Sequence, residues 1–170
     1  MIHLPGYQIL EEIGKSEKHV LYRGIRKEDA QTVMIKIAGQ SAFSFHPATR
    51  EYEILKNLDI PGVIRIDRLE TTSTGNALIL KDFGGIPLKK ILLTHKLNLQ
   101  DQLQIAIKLC GIISCIHENQ LIHGDINPSS IIINLHTGEI GMTDLSGSPL
   151  YGLEERLDAF FLPGTLAYMS

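Results

Sequence analysis

In the first half of the chain, short runs of hydrophobic and β-forming residues separated by turn residues predict mainly β-strands. Tyr7–Ile13 and Val20–Arg26 carry β-forming residues around a short turn that contains Gly14, which predicts a hairpin. Thr32–Ala38 alternates strictly and predicts a third antiparallel strand. Two more strands are predicted, over Val63–Leu69 and Ala77–Phe83.

One helix interrupts these strands. It is predicted to begin at Pro47, a residue that the first turn of a helix tolerates. Its apolar positions Ile54, Leu55 and Leu58 recur at helical spacing, and Pro61 is expected to end it. Five strands and one inserted helix make a small α+β unit.

The second half is mainly helical and starts after a pair of glycines, Gly84 and Gly85. Leu88–Leu93 predicts a short helix, and Asn98, followed three residues later by Asp101, resembles the start of a longer one. That helix, Leu99 to His117, is apolar nearly all round, so we expect it to be buried in a larger assembly. Two short strands are predicted beyond it, at Ile131–Ile133 and in a segment that ends at Thr143.

Composition narrows the class of protein. The chain has 170 residues, of which 44% are hydrophobic and 21% charged, and this composition argues against intrinsic disorder. A net charge of −3 gives no general attraction to nucleic acid or to an acidic membrane surface. We expect no membrane segment, no signal peptide and a cytoplasmic location, with Cys110 and Cys115 as buried free thiols.

Four polar residues stand where the pattern favours less reactive ones. Lys36 lies on an apolar strand, Glu51 on the following helix, Asp125 just past the long helix, and Asp144 at the end of the last apolar strand. Each has an ordinary structural explanation when taken alone, as a solvated side chain or a turn former. A buried lysine needs a partner, however, and two carboxylates at strand and loop ends could flank a divalent cation and a substrate hydroxyl.

The order of these residues and the segments around them resemble the protein kinase fold. The matching segments are Val33–Lys36, Arg50–Leu55, Leu78–Gly85, His123–Asp125, Thr143–Ser146 and Gly164–Ser170. The resemblance implies an α+β, two-lobe fold. Residues 1–83 would form an N-lobe with a five-stranded antiparallel sheet and a C-helix. Residues 84–170 would form part of a mainly helical, incomplete C-lobe.

The same resemblance implies roles for the polar residues, with ATP and Mg²⁺ as cofactors. Lys36 would grip the α- and β-phosphates, and Glu51 would pair with Lys36 and hold it in place. Asp125 would be the catalytic base, and Asp144 the magnesium ligand. Ser130 occupies the position of the asparagine that holds the second metal ion.

The nucleotide site that the resemblance implies departs from the family pattern in two places. Its residues would be Gly14, Leu21, Met34, Leu80 as gatekeeper, and Lys81, Asp82 and Phe83 of the hinge. Only Gly14 remains of the glycine-rich loop, where Ser16, Glu17 and His19 now stand. Met34 replaces a small alanine and takes volume from the adenine pocket.

The catalytic loop also departs from the pattern. Asn127 stands where a lysine usually steadies the γ-phosphate, and Gly124 stands in place of arginine. Loss of that arginine argues against control by loop phosphorylation, although hydroxyls are available at Ser146, Ser148, Tyr151 and Thr165. The Asp125–Ser129 segment is similar to kinase domains at the N-terminus of large bacterial hybrid Ser/Thr–histidine kinases, in which asparagine at this position is usual.

Three functions remain open. The first is a Ser/Thr protein kinase that acts on a protein substrate, and the second is a pseudokinase that signals by shape or nucleotide occupancy. The third is a small-molecule phosphotransferase, because His123-Gly124-Asp125 is a usual catalytic-loop spelling in those enzymes. Gly164–Met169 argues against it, since it resembles a protein-substrate platform. We expect the chain to be a fragment with exposed apolar surface, and its partners to be a protein substrate or downstream signalling domains of a longer chain.

Overall fold

The structure, a computed structural model, describes residues 4–38, 47–72 and 75–145. Its first part is an antiparallel sheet of five strands in the order β1-β2-β3-β5-β4, with one helix between β3 and β4. The predicted five-stranded α+β unit is confirmed. Its elements are β1 Tyr7–Lys15, β2 His19–Arg26, β3 Thr32–Ala38, α1 Pro47–Leu55, β4 Ile66–Thr72 and β5 Gly75–Lys81.

The second part contains two helices and a small antiparallel sheet of three strands, in the order β6-β7-β8. A parallel bridge between Val63 and Met142 and the hydrogen bond from the N–H of Ile64 to the carbonyl of Met142 (2.9 Å) tie the two parts together. Its elements are β6 Ile86–Pro87, α2 Leu88–Thr94, α3 Leu99–Glu118, β7 Ile131–Ile133 and β8 Ile140–Met142.

Strand β3 lies between two apolar clusters, because its alternation sends successive side chains to opposite faces of the sheet. Val33 and Ile35 pack in the smaller cluster with Tyr7. Met34 packs in the main core, which runs from the five-stranded sheet to β7 and β8. Lys36 shares the face of Met34, so the strand directs its only charged side chain towards the middle of the molecule.

The β1–β2 turn differs from the prediction. Gly14 lies inside β1, at a register shift, and the turn lies at residues 16–18. The hydroxyl of Ser16 accepts the N–H groups of Lys18 (3.2 Å) and His19 (3.1 Å), so a serine side chain supplies the bonds that close this turn. Gly14 is needed for another reason, since a Cβ there would lie 2.5 Å from Cγ of Pro87.

Helix α1 is shorter than predicted. It ends at Leu55, and Leu58, expected on its buried face, is more than one-third exposed. The N–H of Leu58 donates to the carbonyl of Leu55 (3.0 Å), which closes a turn three residues before the proline that was expected to end the helix. The end of a helix is set by such local bonds as well as by breakers.

Helix α3 begins as predicted, with Asn98 and Asp101 forming a reciprocal capping box. Its expected burial is not found, since Ile112 and Ile116 are the buried residues of this helix and Leu99, Leu103 and Ile107 are exposed. The described residues cover one face of α3 only. The expectation of two buried thiols is wrong for the same reason, because Cys110 on α3 is exposed and Cys115 half-buried.

By length and hydropathy alone, the 20-residue α3 is long and apolar enough to cross a membrane, contrary to the expectation that no segment would be. The core helices of soluble proteins meet the same criterion. Here the helix carries Asp101 and Lys108 and packs against β8 through its buried face.

The two faces of α3 predict unequal effects of one substitution. Ile116→Ala should destabilise the protein by about 2–5 kcal/mol, because Ile116 is 0% exposed and its removal leaves a cavity. Ile107→Ala at a 71% exposed position should change stability by less than about 0.5 kcal/mol. Urea denaturation followed by circular dichroism measures both, and equal costs would contradict the described packing of α3.

Candidate functional site

Three buried charged residues meet at the boundary between the two parts of the structure. Lys36 of β3 donates to Oε2 of Glu51 on α1 and forms an ion pair with Oδ1 of Asp144, just after β8. Glu51 also accepts the N–H of Asp144 (2.9 Å) and the hydroxyl of Thr143 (3.1 Å) through Oε1. The sequence predicted the Lys36–Glu51 pair; the third partner, Asp144, joins it through the fold.

The charges of this cluster depend on one another. Burial by itself lowers the pKa of Lys36, but the carboxylates of Asp144 and Glu51 more than offset that effect and the pKa is raised. Burial likewise favours the neutral form of Asp144, yet Lys36 and His19 hold the pKa of its carboxyl below the usual value. Lys36 is therefore charged, and Asp144 is an ionised acceptor, across the physiological range.

Backbone geometry places Asp144 in the cluster. Its φ of +75° lies in the left-handed region, which aspartate enters more readily than most residues. This conformation follows directly on β8 and lets the main-chain N–H of Asp144 reach Glu51. The carboxylate and the N–H of one residue thus bind two different partners of the cluster.

Asp125 lies beside this cluster in the loop before β7 and is buried. His123 organises the loop, because its Nε2 lies 2.8 Å from the carbonyl oxygen of Thr143 and its Nδ1 lies 3.3 Å from the N–H of Asp125. These two partners require a neutral ring protonated at Nε2. Burial lowers the pKa of His123, consistent with that form. Gly124, with φ of +74°, makes the turn between them.

Both carboxylate oxygens of Asp125 have partners. Asn127 donates through Nδ2 to Oδ1 (3.1 Å), and Lys18 from the β1–β2 turn donates through Nζ to Oδ2 (2.5 Å). Ser130 is fully buried, and its hydroxyl lies within hydrogen-bond distance of the carbonyls of Asp125 (3.2 Å) and Asn127 (2.9 Å). Ser130 therefore contacts the backbone of its own loop.

The β1–β2 turn also reaches Asp144. His19 is buried, and its Nδ1 lies 3.4 Å from Oδ1 of Asp144 and 3.2 Å from the hydroxyl of Ser16. Burial lowers the pKa of His19, against the opposing effect of Asp144. Sequence reasoning did not foresee that Lys18 and His19 contact Asp125 and Asp144. The available signal was a histidine, His19, in place of a glycine of this loop, with a lysine, Lys18, beside it.

Side chains expected around an adenine base pack tightly against one another. Leu21, Met34 and Leu80 are each no more than 1% exposed and belong to the main core, together with Ile132 of β7. A cavity of about 210 Å³ lies farther out, between the β1–β2 turn and α2. Leu21 belongs to that core and also lines the cavity, and Gly14 lines the cavity beside β2.

The hinge segment is held by side chains from both parts. Arg23 of β2 donates to Oδ2 of Asp82 (2.7 Å) and to the carbonyl of Gly85 (2.7 Å). Asn134 donates to the carbonyl of Phe83 (2.6 Å). Lys81 is exposed at its side chain, and its main-chain N–H donates to the carbonyl of Arg65 (3.0 Å).

The residues singled out in the sequence fall into three groups. Lys36, Glu51, Asp125 and Asp144 lie together, and the hinge residues flank the core that contains Leu21, Met34 and Leu80. Ser146, Ser148, Tyr151 and the segment 164–170 lie outside the described residues. Among those described, no group of three or more His, Cys, Asp or Glu side chains is arranged to hold a metal ion by itself.

In this structure a strand lysine of a five-stranded sheet pairs with a glutamate of the adjoining helix. Two aspartates, one in a loop and one just after a strand, lie next to that pair. This arrangement defines the protein kinase class of fold. A model of that family agrees: the protein kinase domain matches residues 7–170. The chain belongs to the protein kinase domain family, as a divergent, eukaryotic-like member.

Its relatives are Ser/Thr protein kinases. Serine/threonine-protein kinase 36 of Pongo abelii is 27% identical over 165 residues, covering 85% of this chain and 12% of the relative. Serine/threonine-protein kinase TIO of Arabidopsis thaliana shows the same identity and coverage. The US3 homologue of Cercopithecine herpesvirus 9 is 25% identical over 98% of this chain and 46% of its own length. The chain thus spans about an eighth of the first two proteins.

The buried cluster predicts a large effect of removing its cation. Lys36→Met should destabilise the protein by about 3–5 kcal/mol, because it leaves the Glu51 and Asp144 carboxylates buried without their charged partner. Lys56→Met is the matched control, since its ion pair with Glu53 is exposed to solvent. Denaturant midpoints measure both variants, and a Lys36→Met midpoint equal to that of the control would refute the buried pairing.

The two buried histidines predict a loss of stability in mild acid. Since burial lowers the folded-state pKa values of His19 and His123, the unfolded chain binds more protons below its own value of about 6.5. Their stabilising contribution is therefore complete above about pH 6.5 and falls as the pH decreases, by up to about 1.4 kcal/mol per histidine and pH unit.

Thermal unfolding between pH 7.5 and 5 tests this dependence. His123→Gln keeps a donor towards the carbonyl of Thr143 and should flatten the pH dependence, whatever its effect on the absolute midpoint. His136→Gln, at an exposed position, should retain the slope of the unmodified protein. An unchanged slope in His123→Gln would contradict the assignment.

Proposed function

We propose that this domain transfers the γ-phosphoryl group of Mg²⁺-ATP to a serine or threonine hydroxyl of a protein. The observation that supports the proposal most is the buried Lys36–Glu51–Asp144 cluster lying beside the carboxylate of Asp125. Phosphoryl transfer depends on positioning and charge neutralisation more than on covalent chemistry by the protein. These four residues supply one fixed cation and two differently placed carboxylates, with Glu51 holding the cation.

Lys36 is proposed to bind the α- and β-phosphates. Its ammonium already has two carboxylate partners, and Glu51, from a helix, fixes its direction. A phosphate that arrives at Lys36 would compete with Asp144 and replace it, because both are anionic acceptors of the same ammonium, while Glu51 keeps its own hydrogen bond. That exchange would free the Asp144 carboxylate for a metal ion.

Magnesium fits this donor set through Asp144. Mg²⁺ in nucleotide sites is usually held by one or two carboxylates together with phosphates and water, so the lack of a three-residue cluster among the described residues is compatible with it. When bound, the ion neutralises charge on the β- and γ-phosphates. Ser130 is a weaker ligand, because its buried hydroxyl already contacts the backbone of Asp125 and Asn127.

Asp125 is proposed as the base. Its carboxylate would accept the proton of the acceptor hydroxyl as the new P–O bond forms and the bond to the β-phosphate oxygen breaks, releasing ADP. Asn127 donates to Oδ1 and to the main-chain carbonyl of Asp125, which fixes the plane of the carboxylate. His123 supports the loop from the other side through the N–H of Asp125.

Adenine binding requires the two parts of the domain to separate slightly. Leu21, Met34, Leu80 and Ile132 all belong to one packed core. We propose that the base enters between them and meets the backbone of Lys81–Phe83, with the lobe boundary after residue 83. Met34 is a flexible side chain that can move to make room, at a cost to affinity.

A pseudokinase is the second candidate function, and the same packing favours it. A domain whose adenine-lining residues are closed and whose β1–β2 turn contacts Asp125 and Asp144 could signal through its shape. Similarity to Ser/Thr protein kinases supports a protein as the partner. We propose a protein substrate or neighbouring signalling domains, and the cytoplasm as the location.

Two aspartate substitutions separate the proposed steps. Asp125→Asn should retain Mg²⁺-dependent nucleotide binding and lower the rate of phosphate transfer by about 10²–10⁴-fold. Asp144→Asn should remove the magnesium-dependent part of nucleotide binding, since the carboxylate that holds the ion is lost. Calorimetric titration with and without EDTA, beside transfer from labelled ATP to a generic protein substrate, measures both.

Asp59→Asn makes the same chemical change at an exposed position and serves as the control. Magnesium-dependent binding without transfer in the unmodified protein would favour the pseudokinase. Unchanged binding and rate in Asp144→Asn would show that the site is assigned incorrectly.

A further inference from the structure

The chemistry beside Asp125 requires a positive charge that the catalytic loop does not contain. A phosphoryl group in transfer carries charge on three oxygens, and this charge must be neutralised where the acceptor hydroxyl meets the base. Residues 123–130 contain no lysine or arginine. Lys36 is paired with Glu51 and Asp144, and the proposed function assigns it to the α- and β-phosphates.

Lys18 brings a cation to this position from the opposite part of the molecule. Its ammonium lies 2.5 Å from Oδ2 of Asp125, although the two residues are 107 positions apart. The Lys18 side chain is 48% exposed and that of Asp125 is 6% exposed, so the stem crosses the open face of the site and its charged end reaches inside. Ser16 fixes the base of that stem by accepting the N–H of Lys18.

The contact leaves room for a change of partner. A reacting hydroxyl must lie within hydrogen-bond distance of Asp125, and the phosphorus that it attacks lies about 3–3.5 Å from that hydroxyl. An ammonium that contacts Asp125 is therefore within one side-chain movement of the transferring oxygens. The half-exposed, flexible stem of lysine permits that movement.

We propose that Lys18 is a catalytic residue that binds the γ-phosphate: its ammonium moves from Asp125 to the transferring phosphoryl group and supplies the positive charge that the catalytic loop lacks. This inference rests on the proposed function, since it concerns the same nucleotide site. The β1–β2 turn then contributes a side-chain cation where a glycine-rich turn would contribute backbone N–H groups.

The same contact has an alternative interpretation, in which Lys18 slows the reaction. A lysine on the catalytic carboxylate could act as a latch that keeps acceptor and phosphate away. If Lys18 is a latch, it slows the reaction and weakens the binding of every nucleotide. If Lys18 binds the γ-phosphate, it strengthens the binding of the triphosphate specifically. The two therefore differ in what removal of the ammonium does to a triphosphate compared with a diphosphate.

The test compares Lys18→Met with Lys15→Met in the full chain. Both variants remove one positive charge from the same hairpin, but the Lys15 side chain is exposed at the end of β1. The measurements are the affinities for Mg²⁺-ADP and for a non-hydrolysable Mg²⁺-ATP analogue, and the single-turnover rate at saturating ATP.

We expect Lys18→Met to lower the analogue affinity at least about 5-fold, to leave the ADP affinity unchanged and to lower the transfer rate about 10²-fold. Lys18→Arg should recover part of the loss, because it restores the charge. Lys15→Met should match the unmodified protein in all three measurements. The affinity ratio decides the matter even where transfer is too slow to measure.

Other outcomes overturn the inference. Tighter binding of both nucleotides, or faster transfer, in Lys18→Met identifies a latch. If Lys18→Met loses equal affinity for ADP and for the analogue, Lys18 does not bind the γ-phosphate. The same holds if the unmodified protein binds both nucleotides and Lys18→Met binds them equally well. Neither result contradicts the proposed function. An unmodified protein that binds neither nucleotide overturns the proposed function, and this inference with it.

Discussion

The ammonium of Lys36 is the interaction on which the site depends. It is the buried cation between Glu51 and Asp144, and it connects the five-stranded sheet, helix α1 and the segment after β8. Removing charges from water is costly, and the energy is recovered only when partners are held in the right places. Glu51 meets this condition by accepting from Lys36 with one oxygen and from Thr143 and Asp144 with the other. The five-stranded sheet with α1 and the segment after β8 are thereby joined by one set of ion pairs.

The β1–β2 turn has a second influence on the site. Ser16 and His19 stand in it at two glycine positions of the family pattern, and Lys18 precedes His19. These side chains bind one another or the carboxylates of Asp125 and Asp144. The turn therefore contacts the loop before β7. Gly14 lies so close to Pro87 that no side chain would fit there. The same closure packs Leu21 and Met34 into the core. These contacts hold Asp125 and Asp144 in place.

Much of the fold could be predicted from local patterns. The alternation in β3 and the capping box at Asn98 depend on neighbouring residues, so the sequence indicates them directly. The errors lie where a distant partner or its absence decides. Gly14 was placed in a turn, although it is required in β1 by Pro87, 73 positions away. The burial of α3 was overestimated because an apolar helix indicates that a cover is needed, and not which residues supply it.

The sequence by itself determined the elements and the family, because motif order and hydrophobic period are properties of the chain alone. It also indicated that Lys36 and Glu51 would pair. Only the tertiary structure decided that Asp144 completes their charge balance, that Lys18 contacts Asp125, and that Leu21, Met34 and Leu80 are packed in the core. The physical reason is range: propensity and periodicity act over a few residues, whereas an ion pair forms wherever folding brings two charges within about 4 Å.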